Sequence, residues 1–258
     1  MRGYLGETNE AMPIVLLEGY MSDAFKIFDN FRETHGQEEK FRAETMALIE
    51  ADAAMRMRFS LVEKALSLIF VYTADHKARS DDELTVQMLG IRIFNSAAAS
   101  IKLGLSGYYQ TAFGQLRDIM ETGFLIDLFR TSPSKIAEWK NADEKTLRDE
   151  FAPVKVRDAL DRRDGNKEKK RAKQYKILCE YAAHATYRGF RMTMRNGNGE
   201  IGPFVEDINL RAWIEEMVLR LGPTAVIYAK LFPNANTEFE NFLRHFGTEL
   251  VEGIKRAP

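Results

Sequence analysis

Hydrophobic residues recur at intervals of three and four along most of the chain, which is the spacing of one face of an α-helix. This pattern predicts a first helix over Ile14–Arg32, a stop at His35-Gly36 and a long helix over Gln37–Tyr72 with room for an internal break. No proline occurs between Pro13 and Pro133, and a gap of this length favours long helices.

Capping and stop patterns mark the next two helices. Ser80, followed three residues later by Glu83, forms a capping box and predicts a helix that runs to about Leu103. A second apolar stripe predicts a helix over Leu105–Arg130, which Ser132-Pro133 ends because the residue before a proline avoids helical geometry.

The rest of the chain becomes more polar, and its hydrophobic period then changes. Charged residues crowd residues 134–174, which predicts shorter and more exposed helices, and apolar spacing predicts a helix again over Tyr175–Tyr187. Alternation on both sides of an Asn-Gly turn predicts a small β-hairpin over residues 188–205. Two helices are predicted after it, from about Leu210 to Phe232 with a kink or split at Gly222-Pro223, and from Asn236 onward.

These elements predict a mainly α protein, a multi-helix bundle with one small β-hairpin inserted near residues 188–205. We expect a single helical domain over residues 1–258. Its predicted parts are N-terminal helices over 14–75, a helical core over about 80–215 and C-terminal helices over 207–256.

Composition narrows the class of protein. The 37 basic and 38 acidic side chains nearly cancel, so we expect no global attraction to nucleic acid or to an anionic membrane. Glu7, Glu10 and Glu18 interrupt the first apolar segment, and no stretch reaches the roughly 20 apolar residues that span a bilayer. The single cysteine, Cys179, cannot form an intrachain disulfide, so we expect a cytoplasmic protein that does not engage a membrane.

The sequence lacks the motifs of common catalytic and cofactor sites. It has neither Gly-x-Gly-x-x-Gly nor a P-loop, and Gly197-Asn198-Gly199 fits a turn better than a phosphate cradle. No Glu-x-x-His or His-Glu-x-x-His pair occurs, so we expect no metal and no cofactor. There is no Gly-x-Ser-x-Gly elbow, and Cys179 is expected to be a small buried hydrophobic residue.

Charged pairs on two predicted helices form the strongest candidate site. At about 100° per residue, Glu180, His184 and Arg188 share one edge of the helix from Tyr175, if that helix extends far enough. Another pair with a spacing of four flanks the apolar stripe of the Leu105–Arg130 helix. The pairs either meet as one partly buried cluster or stay apart as solvent-facing ion pairs, each worth about a few tenths of a kcal/mol. The candidate residues are Arg117, Glu121, Glu180, His184, Tyr187 and Arg188.

A dense basic run lies between residues 167 and 176. It either forms a solvated helix face, which nearby acidic residues favour, or grips phosphates. The run contains Lys167, Lys169, Lys170, Arg171, Lys173 and Lys176.

Two segments resemble an uncharacterised family of bacterial helical proteins. They are Leu116-Arg117-Asp118-Ile119-Met120-Glu121 and the stretch YAAHATYRG from Tyr181 to Gly189. That family carries an Arg-x-x-x-Glu helix followed about sixty residues later by a Tyr-x-x-His segment, and the resemblance covers about residues 85–215. The family is similar in fold to HEPN domains, which are common in toxin–antitoxin and antiviral systems. The resemblance therefore implies a HEPN-like core and a bacterial defence context.

HEPN ribonucleases use an arginine followed after four to six residues by a histidine, and the pair acts on the scissile phosphate of RNA at a dimer interface. This chain departs from that pattern, because Ile177, Leu178 and Cys179 precede His184 where the arginine would stand.

Three functions are compatible with these residues. The favoured hypothesis is a non-catalytic helical module that binds a protein partner or forms a homo-oligomer. The second is a metal-independent RNase of HEPN type, with His184 and either Arg188 or Arg117 near the phosphate and Glu180 and Glu121 orienting them. The third is a small-molecule pocket between helices, lined by Tyr108, Tyr109, Arg117, Glu121 and His184.

Overall fold

The described chain begins with two helices that meet at Asp52. The computed structural model describes residues 31–195, 197–232 and 236–255, so the predicted helix Ile14–Arg32 lies almost wholly outside the described residues. Helix α1 spans Phe31–Ala51 and α2 spans Ala53–Phe70. The Asp52 carboxylate accepts hydrogen bonds from the backbone N–H groups of Ala54 and Met55, at 2.8 and 3.0 Å. Asp52 is therefore the N-cap of α2.

The predicted break in the long helix is confirmed at Asp52, and the predicted stop at His35-Gly36 is wrong. Helix α1 runs through Gly36, which is exposed. A glycine inside a helix costs only about 1 kcal/mol. Burial of Thr45 and Ile49 later in the same helix supplies the packing that offsets this cost.

Helices α3 and α4 follow as a tightly packed pair. A π-helical turn, Val71–Asp75, extends α2, and α3 then spans Asp81–Leu105. The predicted cap of α3 is confirmed, because the Ser80 Oγ accepts a hydrogen bond from the Glu83 backbone N–H at 3.1 Å. Helix α4 spans Tyr109–Thr131.

Four short helices come next, as the charged composition of residues 134–174 predicts. They are α5 (Ser134–Lys140), α6 (Glu144–Glu150), α7 (Pro153–Arg163) and α8 (Lys170–Leu178). A π-helical turn, Cys179–Ala183, continues α8, and a 3-10 turn follows over Gly189–Thr193.

The predicted β-hairpin is present but much shorter than its predicted range. Strand β1 (Met194–Arg195) pairs antiparallel with β2 (Asn198–Gly199), with Met194 opposite Gly199. The 3-10 turn occupies most of the residues predicted for the first strand. Gly197 has a φ of +82°, a left-handed conformation that glycine adopts without strain.

The last two described helices complete the bundle. Helix α9 spans Asp207–Ala229 and α10 spans Thr237–Lys255. Helix α9 continues through Pro223 as one element, so the predicted kink or split does not divide it. The mainly α bundle with one small hairpin is confirmed.

The core lies where α9 packs against α2 and α4, and where α4 packs against α3. Trp213 of α9 is fully buried, and its Nε1–H donates to the Ser100 Oγ of α3 at 3.0 Å. Ser100 in turn donates to the Ala112 carbonyl oxygen at 3.0 Å, so one chain of hydrogen bonds ties three helices. A Cβ at Gly104 would collide with the Trp213 ring.

In the described ranges, no helix combines the length and the apolar character that a membrane crossing requires.

Candidate functional site

Arg117 and Glu121 form the ion pair that their spacing predicts, and Tyr175 of α8 joins them. The Arg117 Nε donates to the Glu121 carboxylate at 3.0 Å and to the Tyr175 hydroxyl oxygen at 3.0 Å. The Tyr175 hydroxyl donates to the same Glu121 carboxylate at 2.5 Å. These three side chains, which we call the triad, fix α8 against α4.

The triad has a protonation pattern that suits a structural network. Burial, the hydrogen bond to Glu121 and the neighbouring Cys179 thiol raise the pKa of Tyr175 to about 12. Burial is the largest effect on the pKa of Arg117 and lowers it, but the Glu121 charge and hydrogen bond, with the neighbouring Tyr175 and Cys179, together outweigh burial, so the net pKa is raised. At neutral pH the phenol keeps its proton and the guanidinium its charge. Neither group is then available as a general base.

Arg157 of α7 packs against the Tyr175 ring of the triad. Its guanidinium carbon lies 3.9 Å from the ring centroid, the geometry of a cation–π contact. Arg157 is buried, and its Nε and Nη1 have no hydrogen-bond partner in the structure. The aromatic face is therefore the contact that the structure provides for this buried charge.

The predicted helix over Tyr175–Tyr187 ends at Ala183, four residues early. The His184 backbone N–H donates to the Cys179 carbonyl oxygen at 3.0 Å, a π-type turn, and His184 itself is extended, with φ −113° and ψ 145°. The Thr186 hydroxyl donates to the Glu180 carbonyl oxygen at 2.5 Å and takes the place of a helical N–H. Glu180, His184 and Arg188 therefore do not stack along one helix edge.

Glu180 and Arg188 nevertheless remain paired, at 3.2 Å between Oε1 and Nη1. Arg188 is 67% exposed, and His184 and Tyr187 are exposed as well, Tyr187 to 88%. In the part of the chain that the structure describes, no hydrogen bond or ion pair connects this group to the triad. The six candidate residues thus form two separate groups, one partly buried and one exposed.

Three residues of this group, His184, Tyr187 and Arg188, belong to a longer stretch, residues 184–195 and 197–201, which we call the exposed segment. Large apolar side chains project from it into solvent. The Tyr187 and Phe190 rings touch edge to face with their centroids 6.2 Å apart. Phe190 is 51% exposed, and Ile201 is fully exposed. Such a concentration of exposed apolar side chains is typical of an interaction surface.

Hydrogen bonds hold the base of the exposed segment in place. The Gly189 backbone N–H donates to the Thr186 hydroxyl at 3.0 Å, and the Gln110 amide of α4 donates to the Gly189 carbonyl oxygen at 3.2 Å. Gly189 is buried between these groups. The apolar side chains therefore extend from a backbone that is anchored to α4.

The residues of the predicted small-molecule pocket do not share one cavity wall. Tyr109 is buried in the core, Tyr108 donates to the Glu38 carboxylate at 2.7 Å, and His184 is exposed. Glu121 borders a cleft of about 220 Å³ together with Asp118.

The basic run divides into a paired and a solvated part. Arg171 donates to the Asp161 carboxylate at 2.7 Å and also pairs with Asp164. Arg163 joins Asp164 to the Asp127 carboxylate of α4, at 2.6 and 2.8 Å. This network fixes the loop between α7 and α8. The lysines of the run are all exposed.

Three further candidate residues are evident only from the structure: Tyr175, Phe190 and Ile201. Tyr175 and Arg117 are 58 residues apart, and no spacing rule pairs them. Phe190 and Ile201 fit the pattern of strands with one buried face, and only the structure shows that both are exposed.

Metal ligation has no support among the described residues, where no group of three or more His, Cys, Asp and Glu side chains could hold an ion. Cys179 is buried and unpaired, as predicted for a small hydrophobic residue.

Comparison of the chain with family models, with curated proteins and with solved structures finds no match.

Proposed function

We propose that the protein is a non-catalytic module that binds a protein partner, either a second copy of itself or another chain, through the exposed segment. One observation carries the proposal: Tyr187, Phe190 and Ile201 expose large apolar surfaces on one anchored stretch. Aromatic residues and arginine dominate the binding energy of protein interfaces.

The anchoring of the segment supports this function. Binding costs less when the interacting side chains are already held in place, since less conformational entropy is lost. Thr186, Gly189 and Gln110 provide the anchoring hydrogen bonds, and Glu180 holds Arg188 beside Tyr187.

The side chains of the segment also indicate the chemistry of the partner surface. Arg188, Arg191 and Arg195 are exposed around the apolar side chains. A complementary surface would offer an apolar pocket for Tyr187 with carboxylates around its rim.

The triad supports a non-catalytic function rather than an RNase of HEPN type. Arg117 and Glu121 are committed to Tyr175, and His184 lies in another group of residues. If RNA cleavage is observed and His184→Ala abolishes it, the non-catalytic proposal is wrong.

Native mass spectrometry of the purified full chain, followed by capture from a lysate of its own cells, tests the proposal. We expect a homo-oligomer or a defined complex, and we expect Tyr187→Ala and Phe190→Ala each to weaken it by at least about tenfold, as central aromatic contacts do. Leu147→Ala is the matched control, because Leu147 is an exposed apolar residue on α6. An assembly that Leu147→Ala weakens as much as Tyr187→Ala does would overturn the proposal, and so would a strict monomer without a partner.

A second candidate is single-stranded RNA, because arginines alternate with exposed aromatic rings over Tyr187–Arg195. Bases stack on aromatic rings while arginines contact phosphates, and such binding weakens steeply with salt. Titration of the protein with a labelled oligonucleotide at two salt concentrations distinguishes this candidate from a protein partner.

A further inference from the structure

A cleft of about 790 Å³ lies where α5, α6 and α7 meet the loop that joins α7 to α8. We call it the loop cleft. Among the residues that line it are Leu128, Lys135, Lys155, Arg162, Lys167 and Lys169. Ligand sites are typically clefts of about 300–1,000 Å³, so the loop cleft has room for a small molecule. Its lining is separate from the triad and from the exposed segment.

Four cationic side chains of the loop cleft are exposed, and in the described part of the chain none of them belongs to an ion pair. Lys155 and Arg162 lie two turns apart on one face of α7. The Arg162 Nε donates to the Asp158 backbone carbonyl oxygen at 3.3 Å, so no carboxylate neutralises its charge. Lys167 and Lys169 belong to the loop. These four charges are free to meet an anion.

Most acidic side chains at and near the loop cleft are already paired. The pairs are Asp149 with Arg148, Glu150 with Lys135, Asp161 with Arg171, Asp164 with Arg163 and Arg171, and Glu168 with Lys170. Among the described residues that line the cleft, Asp158 is the carboxylate without such a partner. The cleft therefore has an excess of positive charge, although acidic residues and lysines alternate in the sequence.

Hydrogen bonds hold the loop that carries Lys167 and Lys169. The Asn166 backbone N–H donates to the Asp161 carbonyl oxygen at 2.8 Å, and the Asn166 side-chain amide donates to the Asp161 carboxylate at 3.1 Å. Lys169 has a φ of +51°, a left-handed conformation that is unfavourable for a residue other than glycine. Strained backbone of this kind is concentrated at functional sites. The two lysines thus extend from a backbone that is fixed before any ligand binds.

We propose that the loop cleft binds a small molecule that carries two or more linked phosphate groups. Lys155 and Arg162 are about 10 Å apart along the axis of α7, so an extended anion meets both charges better than a compact one. Arginine binds phosphate oxygens through its planar N–H groups, and lysine binds them as a point charge. Leu128 and Ala159 offer apolar surface to the rest of the ligand.

Titration calorimetry of the full chain with inorganic tripolyphosphate tests the proposal. We expect saturable binding, and we expect Lys155→Gln and Lys167→Gln each to weaken it by at least about fivefold, since each removes a charge-assisted contact. Lys173→Gln is the matched control, because Lys173 is an exposed lysine of the same basic run outside the lining of the cleft. We expect its effect to be less than about twofold at physiological salt, where charges more than about 8 Å apart are largely screened.

Lys169→Gly separates the charge of Lys169 from its effect on folding. Glycine adopts the left-handed conformation without strain, so we expect the variant to be at least as stable as the parent in urea unfolding. We expect the same variant to bind tripolyphosphate more weakly than the parent, because it lacks one of the four cations. Equal affinity in this folded variant would overturn the proposal.

Two further outcomes would overturn it. One is the absence of saturable binding, or a loss in Lys173→Gln as large as the loss in Lys167→Gln. The other is a single-stranded RNA oligonucleotide that binds with the same dependence on Lys167 when tripolyphosphate does not bind, because the ligand would then be nucleic acid. Circular dichroism of each variant reports whether the fold is retained.

Discussion

The triad and the exposed segment with its partner Glu180 use the same three residue types, arginine, glutamate and tyrosine, in opposite ways. In the triad, Tyr175 donates to Glu121 and accepts from Arg117 while half-buried between helices. In the exposed segment, Arg188 pairs with Glu180 of the preceding turn, and Tyr187 has 88% of its surface in water. Residue type alone therefore does not distinguish a stabilising network from a binding surface.

The end of the helix at Ala183 creates this difference. Before it, side chains of α8 face α4 and become part of the packing. After it, His184 is extended, the backbone is anchored through Gly189, and the Tyr187, Phe190 and Ile201 side chains are exposed. In the triad, polar groups replace hydrogen bonds to water with hydrogen bonds to protein. In the exposed segment, large apolar side chains remain in water.

The largest expected effect is the difference in unfolding free energy between Tyr175→Ala and Tyr187→Ala. Tyr175→Ala removes a ring in contact with two arginines and leaves Arg117 and Glu121 short of a partner, so we expect unfolding free energy to fall by about 2–3 kcal/mol. Tyr187→Ala changes an exposed side chain, and we expect stability to stay within about 0.5 kcal/mol of the parent. Urea unfolding followed by circular dichroism measures both.

The same two substitutions should affect partner binding in the opposite order. We expect Tyr187→Ala to weaken the assembly and Tyr175→Ala to leave it intact in native buffer. Equal losses of stability in the two variants would remove the distinction between the two regions.

A smaller difference in stability is expected between Glu121→Gln and Glu180→Gln. Glu121→Gln replaces a carboxylate that accepts hydrogen bonds from both Arg117 and Tyr175, and we expect a loss of about 1 kcal/mol. Glu180→Gln weakens an ion pair with an arginine that is largely in water, and we expect less than about 0.5 kcal/mol. Denaturant midpoints at low and high salt check both values, and a larger loss for Glu180→Gln would contradict them.

Gly189→Ala should cost little stability while still perturbing the exposed segment. An added Cβ would lie 3.1 Å from the Tyr181 carbonyl oxygen and 3.3 Å from the Gln110 amide nitrogen, so the anchored backbone must shift slightly. We expect a stability loss of about 0.5 kcal/mol and weaker partner binding. Gly199→Ala, where nothing lies near the added Cβ, is the control.

The contribution of the triad to folding stability is expected to change with pH only in alkali, not near neutral pH. The pKa of Tyr175 is raised in the folded state from an ordinary value of 10.0 to about 12. A raised pKa means that its stabilising contribution is complete below pH 10 and is lost as pH rises through 12. The phenolate absorbance of the parent minus that of Tyr175→Phe should show this late titration, and a difference curve centred at the ordinary value would contradict it.

Periodicity predicted the helices well because it reports which face of an element is buried. The capping box at Ser80, the short charged helices and the hairpin turn at Gly197 are local features, and the structure confirms them. The stop at Gly36 was wrong because a favourable local ending was overridden by packing further along α1.

The candidate site was predicted only in part, for the same physical reason. The Arg117–Glu121 and Glu180–Arg188 pairs are local or nearly local, so sequence spacing found their members. Tyr175 reaches the triad through the packing of α8 on α4, which spacing does not encode. The exposure of Phe190 and Ile201 depends on where the chain leaves α8, which the Thr186 hydroxyl bond helps to set.

Hydrogen exchange of the assembled protein tests the central claim most directly. Peptides that cover residues 184–201 should be protected in the assembly and lose that protection in Tyr187→Ala, while peptides that cover Arg117 and Tyr175 remain unchanged. Protection that lies elsewhere, or that Tyr187→Ala leaves in place, would contradict the claim that the exposed segment is the binding surface.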